Sequence, residues 1–259
     1  MQIGCSLIDM DEICLVGQIG FDYVELMGKY LVSLDEKDFG KLTGILDRCH
    51  LGCLGINGYC PADIVIAGPG YDMKQARQYA KRVAFRARQL GTAYVGIGSP
   101  KSRKIPQGYS RELARRQMMD FLKATAEEME RYGIMVCLEA LAPCYCNFIN
   151  SIAEAAELTR AIGWDSIKTV VDFYNMEYTG EADMDLHPWM EEIVHGHISD
   201  DAGSPQKRYF LKPEKKEVHQ RRIHALREDG YGGAVTIEVD LPVDAGLAAE
   251  SLKMLRDAI

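Results

Sequence analysis

The sequence alternates short β-rich runs with helical stretches about eight times, and this alternation constrains the fold more than any other feature. Short apolar runs between turn residues indicate buried strands, whereas longer amphipathic segments indicate helices. The predicted strands span residues 3–8, 23–27, 53–59, 93–97, 134–140, 167–173, 194–198 and 234–239. The predicted helices span residues 11–19, 35–48, 73–90, 111–131, 152–162, 187–193, 216–228 and 247–258. Strands that alternate with helices in this way form a parallel sheet.

Glycines mark the ends of several of these predicted helices. Gly20, Gly91, Gly133, Gly163 and Gly230 each stand where a left-handed residue would end a helix and release the chain into the next strand. Their positions support the strand–helix boundaries that the apolar pattern predicts.

Eight strand–helix units can close into a barrel or remain open as a doubly wound sheet. Closure is favoured because no Gly-x-Gly-x-x-Gly turn follows the first strand, and because 259 residues is close to the usual length of an eight-stranded α/β barrel. No linker divides the chain, and we interpret the polar residues 200–216 as a long loop after the seventh strand. The sequence therefore predicts an α/β fold in which residues 1–259 form a single (β/α)8 TIM barrel domain.

Composition and charge restrict the partners and the compartment. The net charge of -8, from 30 basic and 38 acidic residues, disfavours a nucleic-acid surface. No apolar run approaches the roughly 18 residues of a membrane helix and no basic leader precedes the first strand, so we expect a cytoplasmic protein without a membrane partner. The 8 cysteines are too dilute for a disulfide scaffold and are expected to be reduced thiols. Cys144 and Cys146 lack the spacing of a structural zinc site.

Four predicted strands each end in a side chain that can bind a metal. These side chains are Glu139, Asp172, His197 and Glu238. Because the carboxyl ends of parallel strands meet at one face of a barrel, we expect the four to lie close together. Three carboxylates and one imidazole are a hard donor set for a divalent cation. Any one of them, taken alone, could instead cap the following helix or form a salt bridge.

Several short motifs, taken in order, resemble those of one known family. They are residues 20–26 (GFDYVEL), Leu138-Glu139 with Asn147 and residues 150–155 (NSIAEA), Val171-Asp172, residues 195–200 (HGHISD), and residues 230–233 leading into Ile237-Glu238. Each motif is weak alone, but together they make essentially the whole chain similar to the xylose-isomerase-like barrel superfamily. The resemblance is to its sugar phosphate isomerase/epimerase group, which includes ketose 3-epimerases, hydroxypyruvate isomerase and enzymes of inositol catabolism.

The resemblance implies a metal-dependent reaction. Glu139, Asp172, His197 and Glu238 would hold one divalent ion, with manganese expected and cobalt, magnesium or zinc as alternatives. Glu139 and Glu238 would be the catalytic pair, one removing a proton from one face of a substrate carbon and the other returning it to the opposite face. The ion would stabilise the enediolate between these two steps.

Sugar-binding residues are expected at the same strand ends. Tyr59, Phe173 and Tyr174 are expected to wall the pocket, because aromatic rings pack on the C–H surfaces of sugars. Asn147 and Asn175 are expected to bind hydroxyl groups.

The chain departs from the ketose 3-epimerases in two places. Asn175 stands where those enzymes usually carry a histidine, and it cannot act as an acid near neutral pH, so we expect a substrate other than a free ketohexose. For the arginine expected beyond the seventh strand, Lys207 and Arg208 are the nearest candidates, and we assign Arg208 to substrate binding. The basic residues of segment 207–216 could bind a phosphate or carboxylate, and the alternative is that they form a solvated loop.

The other histidines are expected to be structural. His195 lies two residues before His197 on the same side of its strand, so we expect it to be buried and hydrogen-bonded one layer deeper. The remaining histidines on helices or helix ends are His50, His187, His219 and His224. They are too scattered for the three-metal cluster of the endonuclease IV branch, which disfavours DNA repair.

Three functions stay open at this point. The leading hypothesis is a metal-dependent isomerase or epimerase of a keto-sugar or related polyol. The same residues would also serve a lyase that dehydrates an inosose or dehydroshikimate type substrate or cleaves a C-glycoside. A non-catalytic partner subunit is the third hypothesis, and the intact ligand set argues against it. The expected partner is a small carbohydrate, with no nucleic acid or membrane, and a homo-oligomer is left open.

Overall fold

The computed structural model describes residues 1–259 as a closed barrel of eight parallel strands surrounded by helices. The barrel strands are β1 (Gln2–Leu7), β2 (Tyr23–Met27), β3 (Gly52–Asn57), β4 (Tyr94–Ile97), β5 (Met135–Glu139), β6 (Ile167–Asp172), β7 (Ile193–Ile198) and β10 (Ala234–Ile237). Between β7 and β10, β8 (Asp200–Asp201) and β9 (Arg208–Tyr209) form an antiparallel ribbon. The sheet closes because β10 pairs with both β1 and β7, which confirms the predicted α/β barrel.

Ten helices connect or flank these strands. They are α1 (Ile13–Ile19), α2 (Gly28–Ser33), α3 (Glu36–Cys49), α4 (Met73–Leu90), α5 (Pro100–Arg103), α6 (Arg111–Met129), α7 (Ile152–Ile162), α8 (Phe173–Thr179), α9 (Lys216–Glu228) and α10 (Ala245–Arg256). The five glycines predicted at helix ends all adopt positive φ, as a left-handed cap requires. None of the helices has the length and apolar character that crossing a membrane would require.

One helix begins earlier than the sequence pattern predicts. The sequence predicts a strand through residue 173 and a helix over 187–193, but α8 begins at Phe173, and only a 3-10 turn forms at His187–Trp189. The cause is Asp172, whose carboxylate accepts the backbone N–H groups of Tyr174 (2.9 Å) and Asn175 (3.4 Å). A side chain at the end of β6 thus caps a helix that starts without a connecting loop.

A continuous apolar core of 66 buried residues lies mainly between the strands and the helices, and a separate cluster of Tyr94, Cys137 and Val170 lies inside the barrel. On its outer side, α1 packs beside α3, and the structure joins Cys14 to Cys49 in a disulfide with a Cα–Cα distance of 5.3 Å. The expectation of eight reduced thiols is therefore wrong for this pair, while the other cysteines are free thiols. The pairing depends on helix packing across 35 residues of sequence, which the spacing of cysteines does not reveal.

Candidate active site

Four strand ends bring the predicted metal ligands together at one face of the barrel. Glu139 is the last residue of β5 and Asp172 the last of β6, His197 lies opposite Asp172 in the β6–β7 register, and Glu238 directly follows β10. Each side chain offers one ligand atom, and the four atoms lie within 4.8 Å of one another. A set of this size and composition can hold a single divalent ion.

Arg208 reaches into this cluster from the ribbon. Its guanidinium Nη1 donates to Asp172 Oδ2 at 2.7 Å and also to Glu238 Oε2. Its backbone N–H donates to Asp240 Oδ2 at 2.9 Å, which anchors β9 beside the end of β10. The Tyr174 ring lies 4.8 Å from the guanidinium carbon, within the range of a cation–π contact. The buried positive charge of Arg208 thus partly offsets the charge of the clustered carboxylates.

The environment separates the pKa values of the two glutamates. Burial alone would raise the pKa of Glu139, but the hydrogen bond and charge of His197, together with the charge of Arg208, lower it to about 2. Burial raises the pKa of Glu238 to about 8, against the opposing charges of Arg208 and His197. The two carboxyl groups therefore lie in different electrostatic environments, which suits one of them to act as a base and the other as an acid.

A buried polar network supports His197 from inside the barrel. Glu25 of β2 is fully buried, and its carboxylate accepts hydrogen bonds from His195 Nε2 (2.6 Å) and His197 Nε2 (3.1 Å). Tyr94 Oη (2.7 Å) and Thr236 Oγ1 (2.5 Å) donate to the same carboxylate. Burial would raise the pKa of Glu25, but the charges of the two histidines lower it well below its usual value, so this carboxylate stays ionised.

This network confirms that His195 is buried and hydrogen-bonded, but the role of Glu25 was not predicted. The sequence does contain a signal for it. Glu25 interrupts the apolar run of β2, as the metal-ligand candidates interrupt theirs, and an unpaired buried carboxylate would be very costly.

The carboxylates open into a cavity of about 200 Å³. Glu139, Glu238, Arg208, Asn57 and Tyr145 are among its lining residues. Asn57 donates weakly to Glu238 Oε1 (3.4 Å), but its own Oδ1 is buried without a hydrogen-bond partner. A buried acceptor of this kind would be satisfied by a hydroxyl group in the cavity. The sequence pattern did not single out Asn57, the last residue of β3, or Tyr145.

Tyr59 and Asn147 do not line the cavity, which corrects their predicted places. Tyr59 is fully buried between the barrel and the helices, with its ring 5.4 Å from that of Tyr79 and 6.0 Å from that of Phe121. Asn147 is exposed, and its side chain makes two hydrogen bonds, of 2.8 and 3.0 Å, with the backbone of Ile105. The first residue is part of the core, and the second holds two loops together.

The residues of α8 support the cluster instead of walling the cavity. Asn175 Nδ2 donates to Asp172 Oδ2 at 2.5 Å, while its Oδ1 accepts the backbone N–H of Ala142 at 3.0 Å. Tyr174 is buried under Arg208, and its hydroxyl donates to the carbonyl of Pro205 at 3.0 Å. Phe173 lies away from the carboxylates, against Arg222 of α9. The structure thus places Asn175 against Asp172, Phe173 against Arg222 and Tyr174 against Arg208, and the substrate contacts of all three stay predictions.

Comparisons with known proteins agree with this architecture. Residues 15–258 match the model of the xylose isomerase-like TIM barrel family. An inosose isomerase of Halalkalibacterium halodurans is 28% identical over 92% of this chain and 85% of its own length. A 2-oxo-tetronate isomerase of Haemophilus influenzae is 25% identical over 88% of this chain and 86% of its own length. The crystal structure of D-psicose 3-epimerase from Clostridium cellulolyticum with D-tagatose superposes with a TM-score of 0.80 at 15% identity, covering 100% of this chain and 99% of that one, and so shows the fold alone.

Proposed function

The chain belongs to the xylose isomerase-like TIM barrel family and is an enzyme, and we propose that it is a divalent-metal-dependent isomerase or epimerase of a keto-sugar or related polyol. The observation that carries this proposal is the pair Glu139 and Glu238, which line one cavity and belong to a cluster that can hold a metal ion. The two curated relatives are named as isomerases, which supports the same reaction class. The carbohydrate substrate and the cytoplasmic location are parts of this proposal.

The residues present fit one divalent ion. Glu139, Asp172, Glu238 and His197 supply three carboxylates and one imidazole around a common point. Because His197 Nε2 bonds to Glu25, the nitrogen available to a metal is Nδ1, which already lies 3.3 Å from Glu139 Oε1. We propose Mn2+, with Co2+, Mg2+ and Zn2+ as alternatives. When bound, the ion would act as a Lewis acid that lowers the cost of negative charge on adjacent substrate oxygens.

The side chains would divide the remaining work between proton transfer and binding. Glu139 would accept the proton from the substrate carbon, and Glu238 would return one to the opposite face. Arg208 would donate to a substrate oxygen, held in place by the Tyr174 ring beneath it. Asn57 Oδ1 would accept a hydrogen bond from a substrate hydroxyl, because it has no partner within the protein.

The reaction class is tested by incubating the wild-type enzyme and Mn2+ in D2O with a panel of ketoses, inososes and keto-glycosides. An isomerase or epimerase is expected to give a product with the formula of the substrate and deuterium on the carbon that gained the proton, read by mass spectrometry and NMR. An unsaturated or cleaved product without solvent exchange of any ketose would contradict the proposal and favour the lyase. Absence of any turnover across the panel would favour the non-catalytic subunit.

Glu25→Gln is expected to lower metal affinity by about 10- to 100-fold without unfolding the barrel. The amide keeps one acceptor oxygen, but its N–H2 group faces a histidine N–H, so His195 or His197 must change tautomer. Metal titration of the folded variant gives the affinity, and 15N NMR of the imidazole rings reports the tautomer directly.

Tyr94→Phe is the matched control, since it removes another hydrogen bond to the same carboxylate, and one of 3.1 Å to His195 Nε2, but leaves the contacts of both histidines with Glu25 in place. Its metal affinity is expected to stay within a few-fold of wild type. Unchanged affinity and tautomers in Glu25→Gln would show that Glu25 does not orient His197.

A further inference from the structure

A second cavity opens beside the one that holds the carboxylates. Its volume is about 350 Å³, larger than the inner cavity of about 200 Å³. The two share part of their lining, namely Lys29, Gly58, Ser99 and Pro100, so they are joined. A ligand whose reactive end meets Glu139 and Glu238 can therefore extend into the second space, which we call the outer cavity.

The two cavities differ in their acidic lining. Three carboxylates line the inner cavity, Glu139, Glu238 and Asp240, together with the cations Lys29 and Arg208, whereas no acidic side chain lines the outer one. Lys29 and Lys101 line the outer cavity, and neither forms an ion pair with any carboxylate of the protein. In a chain with a net charge of -8, two unpaired lysines at one cavity form a local anion-attracting surface.

Ser99 lies where the two cavities meet. It is buried, and its Oγ accepts the backbone N–H of Cys60 at 3.0 Å. Its backbone is left-handed, with φ 44°, which is costly for a residue other than glycine. The fold therefore holds a strained residue at the junction, a feature that often marks a ligand site.

We propose that the outer cavity binds an anionic group, a phosphate or a carboxylate, at the far end of the sugar whose keto end reacts between Glu139 and Glu238. This inference rests on the proposed function and narrows its substrate class to acidic sugars. The orientation follows from the lining, since an anion in the inner cavity would face three carboxylates, whereas in the outer cavity it meets Lys29 and Lys101 and no acidic side chain.

Three ligands that differ only at carbon 6 test the proposal: D-fructose, D-fructuronate and D-fructose 6-phosphate. Calorimetric titration of the Mn2+-loaded enzyme is expected to give at least tenfold tighter binding of one or both anions than of fructose. Whichever anion gains more identifies the group as carboxylate or phosphate. The Lys29→Gln/Lys101→Gln double variant is expected to lose this preference.

The control variant is Lys104→Gln, which removes an exposed lysine of the same segment that does not line the outer cavity, and it is expected to keep the preference. Melting temperatures of all variants check that they fold. Equal binding of the three ligands by wild type, binding of none of them, or an anion preference that survives the double variant would overturn the inference.

The two proposals fail in different ways. Solvent deuterium exchange with fructose and no preference for anions would leave the isomerase proposal standing and refute the outer cavity as an anion site. Lysine-dependent binding of an anion, without solvent exchange of any ligand, would support the outer cavity as an anion site and refute the isomerase proposal.

Discussion

Glu139→Gln and Glu238→Gln are each expected to lower the turnover number by about 10²- to 10⁴-fold, the usual loss when a positioned acid or base is removed. Glutamine keeps the shape of the side chain and one oxygen ligand, but it neither accepts nor releases a proton. In the proposed mechanism Glu139 removes the proton and Glu238 returns it, so the two variants should fail at different steps. Each carboxylate would face one side of the substrate carbon, so each variant is expected to exchange solvent deuterium into one epimer and not the other.

Asp240→Asn is the matched control for this pair. Asp240 lines the same cavity, but its carboxylate accepts the backbone N–H of Arg208 and belongs to no ligand set, so an amide oxygen can replace it. We expect less than a tenfold change. Metal content must be measured in all three variants, since weaker metal binding would also slow the reaction. Near-normal turnover of both glutamine variants at full metal occupancy would refute the two-carboxylate mechanism.

The barrel and the position of the carboxylate cluster were predictable because both depend on local pattern. A short apolar run that ends in Glu139, Asp172 or Glu238 predicts a strand. It also predicts that the side chain lies at the carboxyl-end face of the barrel. The helix ends were predictable for the same reason, because a left-handed cap depends on the conformation of a single glycine. Parallel strand order then brings residues about 100 positions apart together, without any knowledge of side-chain contacts.

The residues that surround the cluster were less predictable, because their directions depend on tertiary contacts. Tyr59 follows the end of β3 by two residues, and the turn at Gly58, with φ 47°, carries it into the layer between the strands and the helices. Asn175 faces Asp172 because α8 begins without a loop. The part played by Glu25 depends on two histidines about 170 residues later, and periodicity in one strand does not record such a pairing.

Removing the metal with a chelator is expected to abolish activity while leaving the barrel folded. None of the four proposed ligands belongs to the apolar core of 66 residues, so the strands pack without the ion. Arg208 and His197 also supply positive charge beside the three carboxylates, which limits their mutual repulsion. Circular dichroism and thermal melting of the chelated protein, with activity restored by Mn2+, Co2+, Mg2+ or Zn2+ in turn, give the measurement.

Arg208→Gln separates the two sources of positive charge. Without the guanidinium, only an ion can offset the buried carboxylates, so the metal-free variant is expected to melt at a lower temperature than metal-free wild type. Mn2+ should then raise its melting temperature by more than it raises that of wild type. Chelation that unfolds wild type would make the ion structural, and active enzyme that contains no divalent ion on elemental analysis would refute metal dependence. If instead Arg208→Gln melts like wild type without metal, the guanidinium does not stabilise the cluster, and its role is confined to the substrate.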